Sequence, residues 1–570
     1  MSSTAPSQGD RARFGSRAVL LALAALAFLV LWFGNLEYRD LVDPDEGRYA
    51  EIPREMMVSG DWTTPRLNDL KYFEKPPLQY WATAVLYRVF GVDEWVARLW
   101  PALAGLAGLA MTFLVGRRLY GARVGALAAL ILGGMLHYVV FAHILTLDMT
   151  VTLFLAAAVF ALVIAQADAT QEDSRQWWML AAWATMAGAV LSKGLIGIVL
   201  PAATLAAYMV VQRDFALLRR LHALPGFVLL LVLTVPWFLA VSLRNPEFAR
   251  FFFWHEHVER FLLPDHHRPG AWWYFLAIAA AGALPWTVLA LSGPHAWWRA
   301  DRDARFQPAR FLVLWVVVVT AFFSASSSKL PGYILPIFPA LALLMALQVA
   351  RGSPRTLAVS LGCLAPVVVA ASWFLPKAAH LRKQPDFELY FGAFLPWLFS
   401  AAAVLAAGLL LAAALAWNRR TMGAVATAGA ASLVALTLAI TGDEELSPIA
   451  STARSGAVLV ERLPKEARTA PFFSVSSFGH SLPFILERPV TLVDYRGELA
   501  LGLDAEPYKG VPTLDDFRKI WIASDDALAV MPRATFERFQ AEALPMTVVL
   551  EDPVRVFVRR APPAPAATSP

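Results

Sequence analysis

The chain has one cysteine, Cys363, inside an apolar segment. An intramolecular disulfide and a Cys-based metal site are thereby excluded. Charge is scarce as well: Asp, Glu, Lys and Arg make up 16% of the 570 residues, against roughly 25% in soluble domains. A Gly-rich phosphate-cradling loop, an HExxH pair and a convincing GxSxG elbow are missing too. Lack of a nucleotide site argues against an ATP-driven pump.

What the chain has is apolar length. It is 58% hydrophobic, with a mean hydropathy of +0.53, which points to a polytopic membrane protein. The pI of about 9.2 does not imply nucleic acid, because much of the Arg sits in short loops between apolar runs, where it sets topology. Many of the twenty Trp flank those runs, as interfacial belts do. After Arg11, Arg13 and Arg17, the run Ala18–Phe33 is long for a signal h-region, and no A-x-A site precedes Asn35. It reads as a retained first span.

Thirteen candidate spans follow, near 17–36, 96–116, 121–139, 143–165, 177–191, 194–212, 223–243, 272–293, 311–325, 333–350, 356–374, 391–416 and 420–440. With the N-terminus inside, nearly every short inside loop is basic. The longer loops of mixed charge, including 37–95 and 244–271, then fall outside, as does the C-terminus. Residues 1–442 form the membrane domain, with 37–95 its first outer loop. From Gly442 the composition changes, and 443–560 alternates strand-like runs (PFFSVSSF, VTLVDY, ALAVM, TVVLEDPVRVFV) with helical ones. That alternation predicts a soluble α/β domain. Residues 561–570, APPAPAATSP, read as a disordered tail.

The richest polar stretch is Asp43–Trp81, with four Asp, four Glu, three Arg and two Lys. It reads as the floor of an active site at the membrane surface. Asp45, Glu46, Asp148, Lys193, Lys329, His255, Glu256 and His257 all fall on the outer side of this topology. Ionisable groups at membrane depth pair or function, so a shared side implies one outward-facing cavity. Each group also has a plain structural reading. Asp45 suits a cap or turn, and Asp148 suits a salt bridge. Together the two carboxylates suit a base with an orienting group, or a cation site. Lys75, just before a Pro pair, is either a rigidly presented phosphate ligand or a snorkelling lysine. Glu74 and His255 have the ligand types for zinc, but solvated loop histidines are the common alternative. Over Glu46–Gly60, Tyr49, Ile52, Met56 and Met57 form one stripe, opposite Arg48, Glu51, Arg54 and Glu55. This predicts an interfacial helix sealing the bundle rim.

DPDEGRYAEIPREM, the following GDW and YFEKPPLQYW resemble the outer loop of lipid-linked-sugar glycosyltransferases of the GT-C membrane class. They most resemble the bacterial aminoarabinose transferases that modify lipid A. TLDM, SKG, HEHVERF and SSSKLPGYILPIFPA extend the likeness over roughly 17–440. It implies a GT-C fold with juxtamembrane periplasmic helices and an active site facing the periplasm from the bacterial inner membrane. The implied reaction moves 4-amino-4-deoxy-L-arabinose from undecaprenyl phosphate to a lipid A phosphate with inversion, giving resistance to polymyxin and cationic peptides. It also implies roles by motif. Asp45 and Asp148 become the catalytic-cavity carboxylates. Tyr72 and Lys75 contact the carrier phosphate, with Arg48 nearby. Glu74 and His255 hold a zinc ion, and Tyr333 lines the donor cavity beside Lys193 and Lys329. No nucleotide is needed, because the polyprenyl phosphate is already an activated leaving group. A monomer is expected. Two rivals stand beside this reading. One is a sister enzyme moving another polyprenyl-linked sugar to a glycan or protein hydroxyl. The other is a transporter or flippase, which would carry its polar groups at the bilayer midplane rather than at one face.

Overall fold

In the computed structural model, residues 8–167, 169–259, 270–299, 304–381 and 386–560 are described. The tail expected at 561–570 lies outside them, as do His266 and His267. Every candidate span falls on helix, but not all are equal. Among the described residues eight helices are long and apolar enough to cross a membrane, including Glu94–Tyr120, Asp148–Gln166, Ala223–Arg244 and Phe387–Trp417. The pair Ala122–Gly133 and Leu136–His143 adds a ninth if counted as one span bent by 64°. Helix Glu172–Lys193 covers the run at 177–191 but carries Glu172, Asp173 and Arg175 in its first turn. The run at 272–293 is two helices, Tyr274–Gly282 and Thr287–Ser292. They part around Pro285, whose missing N–H and ring cannot continue a helix.

The bundle is asymmetric. Asp148–Gln166 and Pro331–Arg351 are its buried axis, while Ala223–Arg244 and Phe387–Trp417 show most of their surface outward. One end of the bundle carries helix Asp45–Ser59, a small hairpin of β1 (Arg66–Leu67) and β2 (Leu70–Lys71), and the C-terminal domain. That domain has one six-stranded sheet: β3 (Phe472–Val475), β4 (Thr491–Val493), β5 (Gly510–Val511), β6 (Ala527–Pro532), β7 (Thr547–Glu551) and β8 (Arg555–Arg560). The strand order is β5-β4-β3-β6-β8-β7. The first four in that order run parallel, and β8 and β7 close the sheet antiparallel. Parallel strands need crossovers, and helices Leu482–Leu486 and Leu514–Ala523 lie on two of them.

Helix Asp45–Ser59 differs from the interfacial helix expected. Its charged face is buried along with its apolar one: Glu51 is 0% and Arg54 6% exposed. The C-terminal domain lies over that face. Arg54 Nε and Nη2 each donate to Glu51 at 2.6 Å, and its Nη1 donates to the Glu487 carbonyl at 3.2 Å. Gly47 permits the close approach, since a Cβ there would lie 2.4 Å from the Ser481 nitrogen. Asp43 fastens the same seam, accepting from Ser481 N–H at 2.7 Å and from Thr452 N–H and hydroxyl at 3.0 and 2.8 Å.

Candidate active site

Beneath the C-terminal domain lies a cavity of about 550 Å³. Asp45, Arg48, Glu74, Lys75, Asp148, Lys193, His255 and Tyr333 line it together, as do Tyr49, Glu256 and Glu498. Of the ten residues to which the resemblance gives roles, Tyr72 and Lys329 are the two not on this wall.

Asp45 opens helix Asp45–Ser59 and pairs with Arg48 one turn on. Arg48 also pairs with Glu498, donates to the Tyr72 hydroxyl at 2.9 Å, and lies 5.0 Å from the Tyr49 ring. Its buried Nε has no hydrogen-bond partner among the described residues. Burial lowers its affinity for the proton, but the Tyr72 hydroxyl that accepts from it and the carboxylates of Glu498 and Glu74 outweigh that and leave it more basic than usual. Tyr72, only 2% exposed, sits behind Arg48 and reaches the cavity through it. Burial pushes its phenol up, so it stays a hydroxyl.

Lys75 Nζ bonds the Glu256 carboxylate and the Glu74 carbonyl, both at 2.8 Å. Lys193, at the last turn of its helix, pairs with Asp148, at the first turn of the preceding one, and lies 5.0 Å from the Tyr333 ring. Gly332 packs directly on Asp148, since a Cβ there would lie 2.5 Å from the carboxyl carbon. Lys329 turns away from the cavity, contrary to the expectation that it lines it. Its ammonium donates to the carbonyls of Ser324 and Ser326, at 2.9 and 3.1 Å, at the end of helix Pro308–Ala325. Those terminal carbonyls need donors, and a cation suits that end of the dipole.

Glu46, beside Asp45, explains how the floor is held. Its carboxylate accepts from Arg39 Nη2 (3.0 Å), Arg98 Nε and Nη2 (3.0 and 2.9 Å), Val42 N–H (3.1 Å) and Leu145 N–H (2.9 Å). Burial alone would raise its pKa, but the two guanidiniums hold it well below the usual carboxylate range. Glu46 thus ties the helix bearing Asp45 to the turn leading into Asp148.

Glu498 had no signal in the linear sequence, standing 450 residues from Arg48. Its position has a topological cue only once strands are assigned. It follows β4, and His480 follows β3, so both lie beyond the C-terminal ends of neighbouring parallel strands, where α/β sheets place their sites. His480 Nε2 donates to Glu498 at 2.7 Å. Against the upward push of burial, that bond and Arg48 hold the Glu498 carboxyl below its usual range.

The zinc expectation meets a shortage of ligands. Glu74 and His255 share the cavity, but His255 Nδ1 bonds Glu259 at 2.7 Å. Among the described residues no group of three or more His, Cys, Asp and Glu could hold a metal ion. A structural zinc site takes four protein ligands and a catalytic one three, so the residues in hand do not fit one.

Two family models match the chain. Residues 459–560 match the aminoarabinose transferase C-terminal domain, and residues 74–239 match dolichyl-phosphate-mannose-protein mannosyltransferase. Among curated proteins, the undecaprenyl phosphate-alpha-4-amino-4-deoxy-L-arabinose arabinosyl transferase of Pseudomonas aeruginosa PAO1 is 32% identical over 552 residues, spanning 93% of this chain and 96% of that one. The corresponding transferase 1 of Pseudomonas fluorescens is 36% identical, with a match spanning 57% of each chain. The crystal structure of ArnT from Cupriavidus metallidurans bound to undecaprenyl phosphate superposes with a TM-score of 0.90 at 39% identity, covering 95% of this chain and 99% of that one.

Proposed function

Because the chain belongs to the undecaprenyl phosphate–aminoarabinose arabinosyl transferase family, we propose that it is a multi-pass membrane glycosyltransferase moving 4-amino-4-deoxy-L-arabinose from undecaprenyl phosphate to a lipid A phosphate. The reaction takes place at the periplasmic face of the bacterial inner membrane, and the product protects the cell from polymyxin and cationic peptides. The observation that carries the reading is the charge of the cavity wall. Among the described residues it holds five carboxylates (Asp45, Glu74, Asp148, Glu256, Glu498) and three fixed cations (Arg48, Lys75, Lys193). A donor made of a phosphodiester and an ammonium sugar needs both signs.

In the transfer, an oxygen of the acceptor phosphate attacks the anomeric carbon. The bond from that carbon to the carrier phosphate breaks, and undecaprenyl phosphate leaves with the electron pair. One displacement inverts the centre. Charge grows on the leaving oxygen, where Lys75 and Arg48 supply cations at no cost of reorganisation. The acceptor phosphate is already anionic, so no proton need be removed, and Asp45 and Asp148 orient rather than deprotonate. Lys193 fixes Asp148, and Gly332 leaves room for its carboxylate.

The test is mass spectrometry of lipid A from a transferase-null strain that makes the donor and carries this chain. Addition of one aminoarabinose is expected, and its loss with Asp45→Ala or Lys75→Ala at normal membrane expression. Unchanged lipid A with the wild-type chain would refute the reading in favour of another sugar or acceptor.

A further inference from the structure

The C-terminal domain puts one segment, Gly497–Leu501, on the cavity wall, and one charge, Glu498. We infer that Glu498 is the specificity-determining residue for the sugar's ammonium group, and that the domain is there to present it. The inference rests on the aminoarabinose reading above.

The argument starts from Arg48. It is shared between Asp45 and Glu498, and its buried Nε has no hydrogen-bond partner among the described residues. A buried donor of this kind calls for an acceptor, and the carrier phosphate is the acceptor that the reaction brings. When Arg48 turns to the phosphate, Asp45 and Glu498 both lose its guanidinium, and Glu498, the one of the two that the C-terminal domain presents, keeps the bond from His480. A carboxylate so exposed needs a cation. An ammonium at the 4-position supplies one. A neutral hydroxyl there leaves the carboxylate under-paired, and sites built for a charged or hydrogen-bonding group reject the analogue without it.

The placement of the other carboxylates supports the assignment. Glu74 and Asp148 lie in 74–239, a segment shared with transferases of mannose, which carries no amine. Glu498 lies in 459–560, the segment shared with aminoarabinose transferases. Lys193 and Asp148 pair with each other, and Lys75 is bonded to Glu256, so neither pair hands a carboxylate to the sugar when Arg48 moves.

The experiment measures kcat/KM at pH 7 for two donors, undecaprenyl phosphate-linked 4-amino-4-deoxy-L-arabinose and undecaprenyl phosphate-linked L-arabinose, with lipid A as acceptor. The wild-type enzyme should prefer the amino donor by at least ~100-fold. Glu498→Gln should cut that preference at least about tenfold, by losing rate on the amino donor and not on the neutral one. Glu498→Asp, which keeps the charge one methylene back, should retain part of the preference and serves if the Gln variant unfolds. Equal loss on both donors in either folded variant would overturn the inference and leave the aminoarabinose reading intact. A wild-type enzyme inactive on the amino donor would overturn both.

Discussion

Glu46→Gln should damage this enzyme out of proportion to its distance from any substrate. The substitution keeps the shape and removes the charge. It leaves Arg98, 1% exposed, and Arg39 without their shared counter-ion, and turns an NH₂ group toward donors. Unpairing a buried charge costs about 3–5 kcal/mol. Arg98 keeps the carbonyls of Leu36, Arg39 and Asp40, at 2.8, 2.6 and 3.0 Å, and Arg39 keeps Asp443 at 3.5 Å, so the low end applies. A loss of about 3 kcal/mol is a factor of ~100 or more in the folded population. A second effect is geometric. With one of the two acceptor oxygens replaced by NH₂, Val42 N–H on Oε2 loses its acceptor if the amide oxygen stays with Leu145 on Oε1, the floor around Asp45 loosens, and an error near 1 Å in a reacting group costs on the order of 100-fold in rate. The assay is a double-mutant cycle with Arg98→Met, read as apparent melting temperature in detergent and as kcat. The double variant should be more stable than the sum of the two singles predicts, by about 1–3 kcal/mol. Additive effects, or a Glu46→Gln enzyme with wild-type melting and kcat, would refute the reasoning.

Other variants separate site from scaffold. Gly332→Ala should lower kcat about 10–100-fold while the protein still folds, because the new methyl displaces Asp148; unchanged kcat in steady-state assays would count against the contact. Lys75→Ala should weaken undecaprenyl phosphate binding at least tenfold, whereas Lys329→Ala should leave it within about twofold and lower the melting temperature, having lost a helix-end cation. Calorimetry in detergent would show the reverse order if the two lysines had been misassigned. Glu46 and Glu498 both titrate below their ordinary value of 4.5. Their stabilisation is therefore fully present above about pH 4.5 and is lost as pH falls through the depressed values. Melting temperature should fall as the pH drops below about 4.5; a rise over that range would contradict the sign.

The membrane half was legible because its signal is local. Apolar length, basic inside loops and polar groups on one side each need only a short window, and they led to one cavity end. The run at 272–293 misled because hydropathy does not register Pro285 as a break. Helix Asp45–Ser59 misled for another reason. Its 3.6-residue stripe was real, but a stripe cannot say whether the polar face meets water or a second layer of protein. The answer depended on Glu487 and Ser481, more than 400 residues away, and on the room left by Gly47. Lys329 was placed in the cavity by its neighbours in sequence, SSSKLPGY, yet the chain turns there and the ammonium caps Ser324 and Ser326 instead. In the sequence Glu46 is one more polar residue beside Asp45, and its work is visible only with Arg98 and Leu145 in place.

The arrangement of the pairs bears on how the reaction runs forward. Each cation on the wall is held by a carboxylate: Arg48 by Asp45 and Glu498, Lys75 by Glu256, Lys193 by Asp148. A buried cation is costly without a partner, so these pairs keep the ligand-free cavity neutralised. A donor carrying both an anion and a cation can exchange with Arg48 and Glu498 without stranding either. The spent carrier cannot. It leaves with more negative charge on its phosphate and no ammonium, so Glu498 again competes for Arg48. Donor and spent carrier share the same lipid, and nothing in the lipid can tell them apart. The same two residues that favour the amino sugar on entry therefore set Glu498 against the carrier phosphate for Arg48 once the sugar has gone.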